Sequence, residues 1–275
     1  MMQRHCTQCR GPRAASPGFT LIELLVVVAI IALLISIILP SLRSAREQGR
    51  TTVCLGNQKT LANAFVQYAA ENADAVVSSW TYAQGWVDWA RDESGNYLDD
   101  DDLADTPDCT AEIRGIENGL LYPYAKIASV FHCPSDNRDS LDPYGGYRAY
   151  RTYSMPNCMN GDAGWETYVG AKKVTKKTAA ISSAAARYVF LEESDPRGIN
   201  MHSWVMYLNQ EKWIDPLTVW HENRSTIGFA DGHATVHAWL DERTINMSRD
   251  HEFDQPCPGS EDWRFMAAGW TRQER

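Results

Sequence analysis

Few residues in this 275-residue chain have the types and spacing to do chemistry. His221, Asp231 and His233 offer two imidazoles and a carboxylate, the makings of a metal or acid–base site. Extended chain at about 3.3 Å per residue sets His221 about 30 Å from Asp231, however, so His221 belongs near the open end of a hairpin rather than beside the other two. His233 and His237, two apart on one strand face, would need a third ligand from elsewhere. Cys6-Thr7-Gln8-Cys9, preceded by His5, has the spacing of half a zinc ribbon but no second pair beside it. No nucleophile–base pair or glycine-rich phosphate loop emerges, so the sequence reads as a non-enzyme and implies no cofactor. The carboxylate in the least favourable place is Glu23, which interrupts an apolar run from Phe19 to Leu42.

That run fixes the organisation of the chain. As a helix it is roughly 36 Å long, enough to cross a hydrocarbon core of about 30 Å with some tilt. It is too long for a cleavable signal core and no small-residue cleavage site follows it. A carboxylate near the bilayer centre costs on the order of 3 kcal/mol unless it is paired, so Glu23 calls for a cation. Arg4, Arg10 and Arg13 precede the span and Arg43, Arg46 and Arg50 follow it, so charge alone leaves its orientation open.

Gly18-Phe19-Thr20-Leu21-Ile22-Glu23 resembles the signal of type IV prepilins and type II secretion pseudopilins. The resemblance implies that a membrane-embedded prepilin peptidase cuts between Gly18 and Phe19 and methylates the new amine of Phe19. It implies that Glu23 pairs with that amine on a neighbouring pilin subunit, and that Pro40 kinks the long helix. It also implies a leader in the cytoplasm and a head outside the cytoplasmic membrane. Two further blocks are similar to prepilin-like proteins whose heads carry an H-x9-DG motif. One is Cys54, Asn57 and Tyr68; the other runs from Leu120-Leu121-Tyr122-Pro123-Tyr124 to Val130-Phe131-His132-Cys133-Pro134-Ser135-Asp136. His221 followed by nine residues and Asp231-Gly232 completes the pattern.

Without the leader, 26 basic residues become 23 against 35 acidic ones and the formal charge moves from -9 to -12, which excludes a nucleic-acid partner. Five cysteines then face an oxidising compartment. Cys133 and Cys158 flank a loop and form the first bridge candidate, with Cys109 as the rival partner, and Cys54 reads as a buried thiol. Because major pseudopilins hold calcium in a head loop, Asp99-Asp100-Asp101-Asp102 and the group Asp136, Asp139 and Asp142 are calcium candidates. Neither has the alternating ligands and central glycine of an EF-hand, and a run of carboxylates more often forms a solvated loop.

In chain order, apolar residues at three- and four-residue steps, Leu42, Ala45, Gly49, Val53, Leu61, Phe65, Tyr68 and Ala69, extend the helix to about Asn72. Strands are expected over 76–82, around Val130–Phe131, and over 150–155, 187–193 and 202–208; residues 248–275 read as an irregular wrap. Asp231-Gly232 between alternating apolar runs predicts a two-residue hairpin loop. That register pairs Phe229 with Ala234 and Ile227 with Val236, burying those four side chains.

The expected fold is α+β, a long N-terminal transmembrane and assembly helix on a head with an antiparallel sheet. The divisions are a leader at 1–18, the membrane helix at 19–42, its extension at 43–75, and a head at 76–275 with the hairpin at 221–240. The expected function is a pseudopilin-like subunit. The alternative is a membrane-tethered extracytoplasmic module that binds glycan or protein through exposed tryptophans such as Trp86, Trp89 and Trp165.

Overall fold

The computed structural model describes residues 20–81, 85–98, 109–138, 150–160, 174–195 and 203–270. The chain divides into two units, Met1–Ala45 and Arg46–Arg275, and helix α1 (Leu21–Glu71) runs through both.

In the first unit α1 is apolar all round, with a mean hydropathy of 3.2 in its most apolar window and none of that window buried. Its start is capped by its own side chains. Thr20 N and Thr20 Oγ1 each donate to Glu23 Oε2 at 2.8 Å, while Glu23 N donates to Thr20 Oγ1 at 3.2 Å. This reciprocal arrangement satisfies two of the amides that a helix start leaves without partners. Pro40 lies inside the helix.

In the second unit α1 buries Thr51, Cys54, Gln58, Leu61, Ala62, Phe65 and Ala69. The stripe keeps helical spacing but differs from the apolar one expected in its early turns: Val53 is 54% exposed, and the polar Gln58 takes the inward position. The exchange works because Gln58 Nε2 donates to Thr226 O at 3.1 Å, so the buried amide keeps a hydrogen bond. Full burial of Leu61 and Phe65 stabilises the head by about 1.5–3 kcal/mol each.

The helix packs on an antiparallel sheet built from β1 (Tyr153–Ser154), β2 (Tyr188–Glu192), β4 (Arg224–Phe229) and β5 (Ala234–Ala238), in the order β1-β2-β4-β5. A second ribbon pairs β3 (Lys212–Trp213) with β6 (Gln255–Pro256). Every residue of β2 is buried, which is why it reads as a continuous apolar run ending in Glu192. β4 comes so close to the helix that a side chain on Gly228 would meet Gln58 O at 3.1 Å.

Several expected strands take other forms. Ala128–Phe131 is a 3-10 turn, which the chain leaves through His132 in extended conformation. The described residues 76–81 and 203–208 contribute isolated bridges in place of strands, among them Ser78 with Gly85 and Met206 with Trp213. The described part of the tail is more ordered than the irregular wrap expected over 248–275. It forms α4 (Glu242–Asp250), capped by Asp241, and α5 (Glu261–Trp270), which buries Trp263, Met266 and Trp270. Shorter helices α2 (Thr110–Asn118) and α3 (Tyr122–Ala125) precede the sheet.

The hairpin register is one residue away from expectation: Gly228 pairs with Ala234, Ile227 with Thr235 and Thr226 with Val236. The loop spans three residues, closed by Phe229 N donating to His233 O at 2.9 Å and Gly232 N donating to Phe229 O at 3.0 Å. Gly232 takes the positive φ of 91° that such a loop places at its last position. On β5, the edge strand, Val236 is 36% exposed and Ala234 half-buried, so neither joins Ile227 and Phe229 in the core as expected.

Candidate functional site

His221 sits three residues before β4, at the open end of the hairpin, and is fully buried against α1 and β2. Its Nδ1 lies 2.6 Å from Oε1 of Glu47 on α1. A carboxylate can only accept there, so the proton belongs on Nδ1. Its Nε2 faces Glu192 Oε1 at 3.1 Å and Cys133 Sγ at 3.4 Å. Cys54 on α1 closes the group, and the ligand atoms of Cys54, Cys133, Glu192 and His221 all lie within 4.8 Å of one another.

Each member is held from behind. Tyr153 donates its hydroxyl to Cys54 Sγ at 3.1 Å, and Ser135 N donates to Cys133 Sγ at 3.4 Å. Glu192 accepts from Thr218 Oγ1 at 3.1 Å, Thr226 N at 3.1 Å and Thr226 Oγ1 at 3.0 Å. Ser135 Oγ donates to Glu47 Oε1 at 2.6 Å. Local sequence explains the positions. Pro134 and Ser135 turn the chain just after Cys133, and Asn57 Nδ2 donates to His132 O at 2.9 Å, fixing that turn to the helix one turn beyond Cys54.

The charges are mutually stabilising. Burial opposes a charge on His221, but its contacts with Cys133 and Glu192 outweigh this and push its pKa up to about 11. Burial likewise opposes ionisation of Glu192, yet the His221 hydrogen bond and charge bring its pKa below the ordinary carboxylate value. The Cys54 thiol is pushed well up, first by burial and then by Cys133 and Glu192. A second buried network lies alongside. Arg138 Nη2 donates to Asp136 Oδ2 at 2.6 Å and to Arg151 O at 2.7 Å. Glu112 accepts from Tyr150 N at 2.5 Å and Arg151 N at 3.1 Å.

The residues singled out from sequence are therefore dispersed. Gly18 and Phe19 lie outside the described residues, as do Asp99, Asp100, Asp101, Asp102, Asp139 and Asp142. Asp136 is engaged by Arg138 and by Thr152 Oγ1 at 3.0 Å. Glu23 caps its own helix. Asp231 and Gly232 form the hairpin tip, where Asp231 Oδ1 accepts from His233 Nδ1 at 2.5 Å, far along the strand from His221.

The expected bridge from Cys133 to Cys158, or to Cys109, is not formed. Cys133 turns toward Cys54 and His221, Cys158 Sγ donates to Trp270 O at 3.2 Å, and Cys109 precedes α2. The exposed tryptophans of the binding-module alternative are corrected too. Trp86 is fully buried, stacked on Phe131 with ring centres 5.9 Å apart, and Trp89 is 7% exposed; Trp165 lies outside the described residues.

Sequence reasoning missed Glu47 and Glu192 as partners of His221. The usable signal was Glu192 itself, an acid closing the apolar run Tyr188-Val189-Phe190-Leu191, where a charge is tolerated only with a partner.

Comparison with known proteins covers both units. A family model described as "Protein of unknown function (DUF1559)" matches residues 43–236, and one described as "Prokaryotic N-terminal methylation motif" matches residues 13–39. A stretch of 60 residues, 22% of the chain, is 38% identical to the type II secretion system core protein G of Pseudomonas aeruginosa, and it covers 42% of that relative's length. No solved structure matches the chain.

Proposed function

The chain belongs to the DUF1559 family and carries a prokaryotic N-terminal methylation motif ahead of that domain, and from this premise we propose that it is a pseudopilin-like subunit that assembles through its N-terminal helix. Residues 1–18 are the leader removed by the prepilin peptidase, 19–42 the membrane and assembly helix, 43–75 its extension on the head, and 76–275 the head presented outside the cytoplasmic membrane. One observation carries the reading: the methylation motif abuts a helix whose first unit has Leu24, Ile30, Leu34 and Ile37 about half exposed or more. An apolar surface of this extent requires a lipid or protein cover. Sibling subunits and the membrane supply it in turn.

Glu23 has a defined part in that exchange. In the single chain its carboxylate accepts from Thr20 of the same helix, and on assembly it turns to the methylated amine of Phe19 on the neighbouring subunit. The similarity to type II secretion system core protein G supports a pseudopilus as the assembly. Incorporation of the chain into sheared fibres is the test, in cells that make the remaining subunits. Wild-type chain enters the fibre fraction, and Glu23→Ala remains in the membrane although its head is folded. Equal incorporation of both would remove Glu23 from assembly, and absence of both from any fibre would overturn the subunit reading.

A further inference from the structure

We propose that Cys54, Cys133, Glu192 and His221 form a closed, structural zinc site in the head. The donor set comes first. Two sulfurs, one imidazole nitrogen and one carboxylate oxygen converge within 4.8 Å, and all four residues are 0% exposed. Sulfur with imidazole selects a borderline-soft ion such as Zn²⁺ over calcium or magnesium, which take oxygen ligands.

The separations fit a tetrahedron. Bonds of about 2.0 Å to nitrogen or oxygen and about 2.3 Å to sulfur give edges of roughly 3.3–3.8 Å. His221 Nε2 stands 3.1 Å from Glu192 Oε1 and 3.4 Å from Cys133 Sγ, so an ion between them needs only small outward shifts.

The outer contacts point the same way. Glu47 holds the proton on His221 Nδ1, so that when Nε2 gives up its own proton its lone pair faces the centre, the carboxylate–histidine relation that supports bound zinc. Tyr153 and the Ser135 amide donate to the two sulfurs, as is required to stabilise thiolates. Loading Zn²⁺ releases the two thiol protons and any proton on Nε2, which is the ordinary coupling of metal binding to deprotonation. Donation from Thr218 and Thr226 to Glu192 disperses the remaining negative charge.

With four protein ligands and no open position, the role is structural rather than catalytic. The site joins α1, the turn after the 3-10 segment, β2 and the segment leading into β4. Separations of 88 residues from Cys133 to His221 and 29 from Glu192 to His221 hide it from any zinc-ribbon spacing. Beside the site, Glu47, its side chain 17% exposed, lines with Ser135, Asn223 and His251 a pocket of about 450 Å³.

The test uses the full-length chain, purified in detergent without chelator. Elemental analysis yields about one zinc per chain, and X-ray absorption at the zinc edge yields two sulfur and two nitrogen or oxygen neighbours. Cys54→Ser and Cys133→Ser each lose the metal, while Cys158→Ser retains it. Because a serine variant can fail to fold for other reasons, Glu47→Gln supplies a separate readout: the head folds and binds zinc about 10- to 100-fold more weakly. A Cys54–Cys133 disulfide in peptides from the metal-free protein would overturn the proposal. So would a folded chain with both thiols reduced and no zinc after incubation with the ion.

Discussion

The two halves of α1 are built on opposite terms. Before Ala45 its side chains are apolar on every side and face outward; Leu24 is 56% and Leu34 54% exposed. After Arg46 the helix is amphipathic, and its inward face mixes Leu61 and Phe65 with Thr51, Cys54 and Gln58. Among the described residues the first half has no partner within its own unit, and so extensive an exposed apolar surface calls for a cover. The second half has its partners in the same chain, an apolar core with polar contacts such as that of Gln58 with Thr226 set into it. A single helix thus joins a surface made for exchange to a core fixed by specific contacts.

Breaking the fixed half at its centre has the largest expected effect. His221→Ala leaves Glu192 buried without its cation, and losing one partner of a buried pair costs about 3–5 kcal/mol. Chemical denaturation of the purified protein measures this as a lower midpoint, and an unchanged midpoint would contradict the role given to the cluster. Leu61→Ala and Leu34→Ala then set the two halves against each other. The first opens a cavity in the core and costs about 2–5 kcal/mol, whereas the second leaves head unfolding unchanged and is read instead as weaker retention in membranes or fibres.

Glycine substitutions sharpen the contrast with opposite signs. Gly232→Ala forces a side chain into positive φ and against Asn63 Oδ1 at 2.6 Å, a loss of about 1–2 kcal/mol. Gly49→Ala, in the helix with nothing within 4 Å, gains about 0.5–1 kcal/mol. Paired thermal melts distinguish them.

An effect of similar size, but dependent on pH, lies at the cap of α4. Hydrogen bonding from Arg243 holds the Asp241 pKa at about 2, below its ordinary value of 3.8. A carboxyl whose folded pKa is depressed contributes its stability above the unfolded value and loses it as pH falls through the folded one. Asp241→Ala therefore costs about 1 kcal/mol at neutral pH, and the difference from wild type vanishes as pH falls from about 4 to about 2. A difference that persisted at pH 2 would assign the effect to packing.

The two halves were also unequally legible in the sequence. Leu21 to Leu42 carries its own explanation, since apolar length against bilayer thickness needs no partner to be understood. The capping box Thr20-Leu21-Ile22-Glu23 is equally readable there, since the spacing of Thr20 and Glu23 offers the carboxylate a partner within its own helix. In the head, β2 was legible because a strand buried on both faces is apolar throughout. The hairpin was placed correctly but misregistered, because Asp-Gly serves a two-residue loop and the end of a three-residue loop alike. The cluster around His221 was illegible for a stronger reason. Its members come from four distant segments, and only the packing of α1 on the sheet brings Glu47 and Cys54 to Glu192.

The account rests most directly on where the mature chain begins. Intact mass and N-terminal sequencing of the protein from membranes with and without the prepilin peptidase would measure it. Processing as a prepilin gives a chain that starts at N-methylated Phe19 only when the peptidase is present. A chain that keeps Arg4 to Gly18 in both membranes would contradict it.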